Sequence, residues 1–200
     1  MDDSRALLRA RMSVRRNELG ARQRVEAAAG VLHSLETLPE FMTDANVAGY
    51  WAVRGELPLN LAVASLKRRD QHYFLPVLAE ARQLRFAEYR DDAVLQGNRF
   101  GIPEPVTPVA ERHDAHAMDV VLLPLLAFDR SGGRLGTGGG WYDTTFAFLH
   151  DATRPARPLL VGVGYAFQEI ESVPVEAWDV PLDYVATEEE LIACTPIATP

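Results

Sequence analysis

Asp119-Val120-Val121-Leu122-Leu123-Pro124 is followed a few residues later by Gly132-Gly133-Arg134-Leu135-Gly136-Thr137-Gly138-Gly139-Gly140-Trp141-Tyr142-Asp143, and the succession decides the fold. The first segment is a continuous apolar run, the pattern of a strand buried on both faces of a parallel sheet. The second packs six glycines into nine residues ahead of residues 141–150, which read as a helix. In parallel α/β proteins, ligands bind at the carboxyl ends of strands, next to a helix N-terminus. Gly136, Gly138, Gly139 and Gly140 can take positive φ and aim successive backbone N–H groups at an anion. Arg134 adds a planar fork of donors matched to phosphate oxygens. Asp143, one turn into the helix, is a candidate to hold a magnesium ion that bridges phosphates. A simple chain reversal is the bland alternative, and six glycines are more than a turn requires.

The rest of the chain alternates in the same manner. Asp2, Asp3 and Ser4 are N-cap candidates for two helices broken near Gly20, the first carrying Leu8, Met12 and Leu19 and the second Val25, Val31, Leu32 and Leu35. Residues 46–51, 73–77, 84–89, 159–165 and 184–187 read as strands. Residues 59–69 read as a helix, basic at its end as the helix dipole favours, and 188–193 as a short closing helix. Glycines and prolines between 97 and 108 call for an ordered loop. The expected fold is α/β: a single domain, a three-layer sandwich with a mostly parallel central sheet flanked by helices.

Composition narrows the function. With 200 residues, 48% of them hydrophobic, the chain can bury one core. The formal charge of −8, from 28 acidic against 20 basic residues, argues against a nucleic-acid partner. No stretch approaches the ~20 apolar residues of a membrane span. Cys194 is the only cysteine, which excludes an intrachain disulfide and a cysteine zinc site and suits a reducing compartment. The expectation is a cytoplasmic, monomeric protein acting on small molecules. A Walker loop is absent, and the dinucleotide pattern beginning at Gly136 fails where Trp141 replaces its last glycine. His113 and His116 flank Asp114 without a third metal ligand, as in a solvated loop.

The stretch from Pro124 to Asp143 is similar to the signature of the 5-formyltetrahydrofolate cyclo-ligase family, Pro-x-x-Ala-Phe-Asp-x-x-Gly-x-Arg-Leu-Gly-x-Gly-x-Gly-Tyr-Tyr-Asp. The resemblance extends in order along nearly the whole chain: Arg5-x-x-x-Arg9, residues 50–56, Leu75-Pro76-Val77, Phe100-Gly101-Ile102-Pro103-Glu104-Pro105, Gly162-Val163-Gly164-Tyr165-Ala166-Phe167-Gln168, Val173-Pro174, and Trp178-Asp179-Val180-Pro181-Leu182-Asp183. It implies an ATP- and Mg2+-dependent ring closure. The formyl oxygen of 5-formyltetrahydrofolate is phosphorylated, the neighbouring nitrogen attacks the activated carbon, and phosphate leaves to give 5,10-methenyltetrahydrofolate. Such chemistry needs alignment and charge neutralisation more than a protein nucleophile.

The resemblance also implies roles. Arg5 and Arg9 look like nucleotide contacts from the first helix, joined by Arg134, Leu135, Gly136, Thr137, Gly138, Gly139, Gly140, Trp141 and Tyr142. Thr137, Gly138, Gly139, Gly140 and Trp141 also look like folate contacts, together with Trp51 and Glu56. Asp143 and Asp179 look like the magnesium ligands. The chain departs from the family at Arg5, where lysine is common, at Thr137 and Trp141, and in Leu57-Pro58-Leu59-Asn60 after Glu56. Those departures leave room for a relative acting on another substrate. A binding module without turnover is the other alternative; retention of Arg134, Asp143, Asp179 and Glu56 together counts against it.

Overall fold

The computed structural model describes residues 3–151, 153 and 155–195. Its strands are β1 (Asn46–Ala48), β2 (His72–Leu78), β3 (Leu84–Glu88), β4 (Leu95–Gly97), β5 (Pro103–Pro105), β6 (Val120–Pro124), β7 (Ala127–Phe128), β8 (Arg134–Leu135), β9 (Leu159–Val163), β10 (Tyr184–Ala186) and β11 (Leu191–Ala193). The helices are α1 (Asp3–Asn17), α2 (Ala21–Glu36), α3 (Pro39–Thr43), α4 (Asn60–Arg68) and α5 (Trp141–Thr145). Asp2, an expected cap residue, lies outside the described residues.

The main sheet has seven strands in the order β11-β10-β9-β6-β1-β2-β3. Neighbours from β10 to β2 are parallel, and β3 and β11 add antiparallel edges. From β1 the chain moves outward to β2, then returns to build β6, β9 and β10 on the other side. β1 and β6 are therefore adjacent strands whose connections run in opposite directions, the switch point at which doubly wound sheets open a crevice.

β6 shows why the sequence reads as it does. Val120 and Leu122 pack on one face with Val31, Leu35 and Leu66 of α2 and α4. Val121 and Leu123 pack on the other with Phe86, Phe146 and Leu149. All four β6 residues are fully buried, so alternation of polar and apolar positions is impossible there. The two covering layers differ in build. Long helices cover the first face, whereas α5, short 3-10 turns and loops cover the second. A third cluster joins Met12 and Leu8 of α1 to Leu126, Ala127 and Leu135, seating α1 on the β7–β8 hairpin.

Residues 188–193 are not a helix. Thr187 folds its hydroxyl back onto the backbone N–H groups of Glu189 and Glu190, 3.2 and 3.1 Å away, and reverses the chain. β11 then runs antiparallel to β10 and buries Ile192. Three residues after a side-chain-locked turn are too few for a helix and enough for an edge strand. The strand expected at 46–51 stops at Ala48, and the helix expected at 141–150 is α5 followed by a 3-10 turn, Ala147–His150.

α2 docks directly on the β10–β11 turn. Ser34 donates 2.8 Å to the Thr187 carbonyl, and a methyl group on Gly30 would stand 2.4 Å from the Glu188 carbonyl oxygen. Helix propensity alone favours alanine over glycine by about 1 kcal/mol. Here the backbone contact reverses the sign: Gly30→Ala should lower the stability by about 1–3 kcal/mol in thermal or urea denaturation.

Candidate active site

A cavity of about 1000 Å³ opens beyond the carboxyl ends of β1 and β6. Tyr50 and Trp51 continue from β1 to form one wall, and Pro124 and Leu125 close β6 at another. Arg5, Arg9 and Arg16 reach it from α1. Spacings of four and seven residues keep these three arginines on one helical face. The same face buries Met12, so packing of α1 on the hairpin aims the cations into the opening.

The glycine loop forms the opposite wall. Between β6 and the loop lies a hairpin that the sequence reading does not contain, β7 and β8, latched by Asp129. That carboxylate accepts from the N–H groups of Ser131 and Gly133 at 2.9 and 3.1 Å and from Val173 at 2.7 Å. Beyond β8, Gly138 (φ +94°) and Gly140 (φ +68°) occupy the left-handed region that a side chain disfavours. The amides of Gly136, Thr137, Gly138, Gly139 and Gly140 donate to no acceptor among the described residues. Arg9 fixes the loop from beneath, its Nε donating 3.0 Å to the Gly136 carbonyl. Unpaired amides above a guanidinium make a cradle for anionic oxygens.

Two arginine–aspartate couples border this cradle. Arg134, almost fully buried, donates to Asp143 at 2.5 Å and to the Val180 carbonyl, while the Val180 N–H donates 3.2 Å to the same Asp143 oxygen. Arg5 donates to Asp179 at 3.0 Å, and that oxygen also accepts from the Glu176 N–H at 2.8 Å. The Arg5 Nε remains buried without a partner. These bonds tie α1, the glycine loop and residues 176–180 to one another around the cavity.

Glu56 stands elsewhere on the wall, raised by a turn in which Arg54 and Gly55 take φ of 49° and 78°. Its Oε2 accepts from the Val53 N–H at 3.0 Å. Burial pushes its carboxyl above the usual value, opposed by the Val53 bond and by the charges of Arg16 and Arg54. Tyr50 and Tyr142 are driven upward as well, by burial first and then by the Glu56 charge, and stay protonated hydroxyls. Trp51 is partly exposed and meets Tyr89 edge-on, with ring centres 6.0 Å apart.

Of the residues named from the sequence, Arg5, Arg9, Trp51, Glu56, Arg134, Gly136, Thr137, Gly138, Gly139, Gly140, Trp141, Tyr142, Asp143 and Asp179 all line this one cavity. Leu135 does not; its side chain is fully buried in the cluster beneath α1. The sequence reading missed Arg16, although it lies seven residues after Arg9 and therefore on its face. It also missed Arg99, whose guanidinium sits 5.1 Å from the Phe100 ring and 5.2 Å from that of Trp141, linking the β4–β5 turn to the glycine loop. No pattern in one sequence pairs positions so far apart. His113 packs on Phe74 and His116 on Phe148, and Asp114 pairs with Arg85, so these residues form no metal site. Burial lifts the Cys194 thiol to about 12, which removes it as a nucleophile.

A doubly wound sheet with an anion cradle and a separate half-buried carboxylate facing one switch-point cavity defines a small-molecule enzyme of the α/β class. The family model of the 5-formyltetrahydrofolate cyclo-ligase family matches residues 1–188. The chain is 34% identical over 169 residues to a 5-formyltetrahydrofolate cyclo-ligase of Haemophilus influenzae, covering 84% of this chain and 88% of the relative. It is 34% identical over 180 residues to the Escherichia coli K12 protein of the same name, covering 88% and 96%. Among solved structures, the Aquifex aeolicus 5,10-methenyltetrahydrofolate synthetase superposes with a TM-score of 0.80 at 31% identity, over 98% of this chain and 95% of that one. The chain belongs to the 5-formyltetrahydrofolate cyclo-ligase family and is an enzyme of that family.

The raised Glu56 carboxyl has a defined effect on stability. Between the ordinary value of 4.5 and its higher folded value, the folded chain holds this proton more tightly than the unfolded chain. The Glu56 contribution to stability therefore falls as pH rises through that window. Glu56→Gln keeps an acceptor for Val53 and removes the partly desolvated charge. The variant should gain on the parent as pH is raised from 4 to 7, in urea unfolding at a series of pH values, and the gain should vanish below pH 4.

Proposed function

We propose that this enzyme converts 5-formyltetrahydrofolate to 5,10-methenyltetrahydrofolate with turnover of ATP to ADP and phosphate, as a single domain. The observation that carries the reading is one cavity holding both an anion cradle and a half-buried carboxylate distinct from it. The triphosphate is assigned to the free amides of Gly136, Thr137, Gly138, Gly139 and Gly140, with Arg5, Arg9 and Arg134 beside them. The pterin is assigned to Glu56 and Trp51, a carboxylate and an aromatic face suited to N–H donors on a flat ring.

The reaction asks little of the protein in bond making. The formyl oxygen attacks the γ-phosphorus and ADP leaves; the N10 lone pair then closes on the activated carbon, N10 gives up its proton, and phosphate departs with the former formyl oxygen. The protein aligns the two substrates and neutralises charge as it spreads over the transferring phosphoryl group. Arg134 suits that second task because it is held rigidly by its bonds to Asp143 and to Val180. No ordered nucleophile is needed, consistent with a protonated Cys194.

Among the described residues no three acidic, histidine or cysteine side chains stand together as a metal cage. Asp143 and Asp179 are single carboxylates, each already held by an arginine. Mg2+ takes one or two carboxylates and completes its shell with waters and phosphate oxygens. The donor set therefore fits Mg2+ delivered with a nucleotide and not a metal bound alone. Asp143 and Asp179 would hold it there, and it would supply charge neutralisation at the phosphates.

Absorbance tests the proposal, since the methenyl product has a near-ultraviolet band that the substrate lacks. Purified protein with 5-formyltetrahydrofolate, ATP and Mg2+ should develop the band with one ADP per product. Omission of either ATP or Mg2+ should abolish it, and Asp143→Asn should slow it by about 100-fold. A parent protein that binds ATP but forms no band would overturn the assignment.

A further inference from the structure

Arg16 lacks the partners that its burial requires. It is 2% exposed, and its Nη1 makes one 3.3 Å hydrogen bond, to the Leu125 carbonyl. Gln168 already donates to that carbonyl at 3.0 Å. The Arg16 Nε is buried with no partner at all. A permanently charged guanidinium held by one shared carbonyl is poorly compensated for its lost water. Anchoring α1 does not explain it, because an uncharged side chain would do so without that penalty.

Glu56 shows the matching deficiency. It lines the same cavity and is the acidic group whose charge Arg16 feels, yet no hydrogen bond or ion pair joins the two. Only its Oε2 has a protein donor. A carboxylate acceptor and a guanidinium donor thus face one space without touching.

We propose that Arg16 is a specificity-determining residue that donates to the 4-oxo group of the pterin, while Glu56 accepts from N3–H and the 2-amino group. The inference rests on the folate reading of the cavity given above. The edge of a 2-amino-4-oxopterin runs donor, donor, acceptor, and a carboxylate followed by a guanidinium is its complement. A 4-amino pterin presents a donor where Arg16 also donates and, having no hydrogen on N3, offers Glu56 one donor fewer, so the exchange costs bonds at both residues. Sites built to satisfy a substrate hydrogen bond reject analogues that cannot form it far more strongly than apolar pockets reject a change of size.

The test measures equilibrium binding of 5-formyltetrahydrofolate and of its 4-amino-4-deoxy counterpart to the unaltered chain, Arg16→Gln and Arg16→Lys. ATP binding and the thermal midpoint are recorded for each protein. The unaltered chain should prefer the 4-oxo compound at least about tenfold. Arg16→Gln should weaken the 4-oxo compound by about 10- to 100-fold, lose the share of the preference that Arg16 supplies and leave ATP binding unchanged, with Arg16→Lys between. Equal binding of the two compounds by the unaltered chain overturns the inference without recourse to a variant. A folded Arg16→Gln protein that keeps the full preference overturns it too. If Glu56→Gln weakens both compounds and the Arg16 variants alter neither, the folate site stands and only the role of Arg16 falls. If the unaltered chain binds ATP but neither folate, the underlying reading falls and takes this one with it.

Discussion

The opening between the carboxyl ends of β1 and β6 exists because the chain leaves those adjacent strands in opposite directions. No connection crosses the gap, so neither a helix nor a loop fills it from the sheet itself. The strand ends supply only part of the lining, Pro76, Leu78 and Pro124 among it; α1 from the N-terminus, the glycine loop from beyond the β7–β8 hairpin, and residues 176–180 from the region before β10 are brought in from outside the sheet. The long-range bonds from Arg5 to Asp179 and from Arg9 to Gly136 are the stitches between these separate pieces. The fully buried β6 supplies the rigid base on which they are assembled.

Charge is distributed in a way that net charge conceals. The chain carries −8 overall, yet the cavity gathers Arg5, Arg9, Arg16 and Arg134 among its arginines, set against the carboxylates of Glu56, Glu104, Asp143, Glu176 and Asp179. Three of the four arise from the geometry of one amphipathic helix whose apolar stripe, Leu8 and Met12, is fastened to the hairpin. A recess close to neutral inside an acidic chain is more accessible to small anions than the protein's net charge implies.

Much of this was legible in the residues. β6 and the glycine loop declare themselves by a run of apolar residues that cannot alternate and by glycines that cannot all be turn residues. What was hidden depended on contacts between distant positions. The β7–β8 hairpin rests on Asp129 gathering three amides, one of them 44 residues away, and no periodicity marks such a latch. Residues 188–193 read as a helix because Glu188, Glu189 and Glu190 are good helix formers, whereas the Thr187 hydroxyl competes locally for the amides of Glu189 and Glu190 and α2 docks on the resulting turn. Arg16 escaped notice because an arginine in a basic helix looks solvated until its neighbours are known. The site residues carried over from the family signature fall around one cavity; Leu135, read as one of them, instead serves the core, as alternation along β8 demands.

The two arginine–aspartate couples have a consequence for how such a site rests between turnovers. At these two couples the empty site is its own salt: Arg5 and Arg134 each already face an aspartate, so neither pair presents an unoccupied charge. A ligand that brings both signs at once can exchange partners with both couples without leaving any member bare. On the proposed nucleotide reading, phosphate groups would favour the entry of a metal and the metal would favour the phosphates, a mutual coupling that thermodynamic reciprocity makes equal in both directions. Selectivity for an ion-paired ligand over either ion separately would thereby be stored in side chains that, in the empty protein, look like ordinary structural bridges.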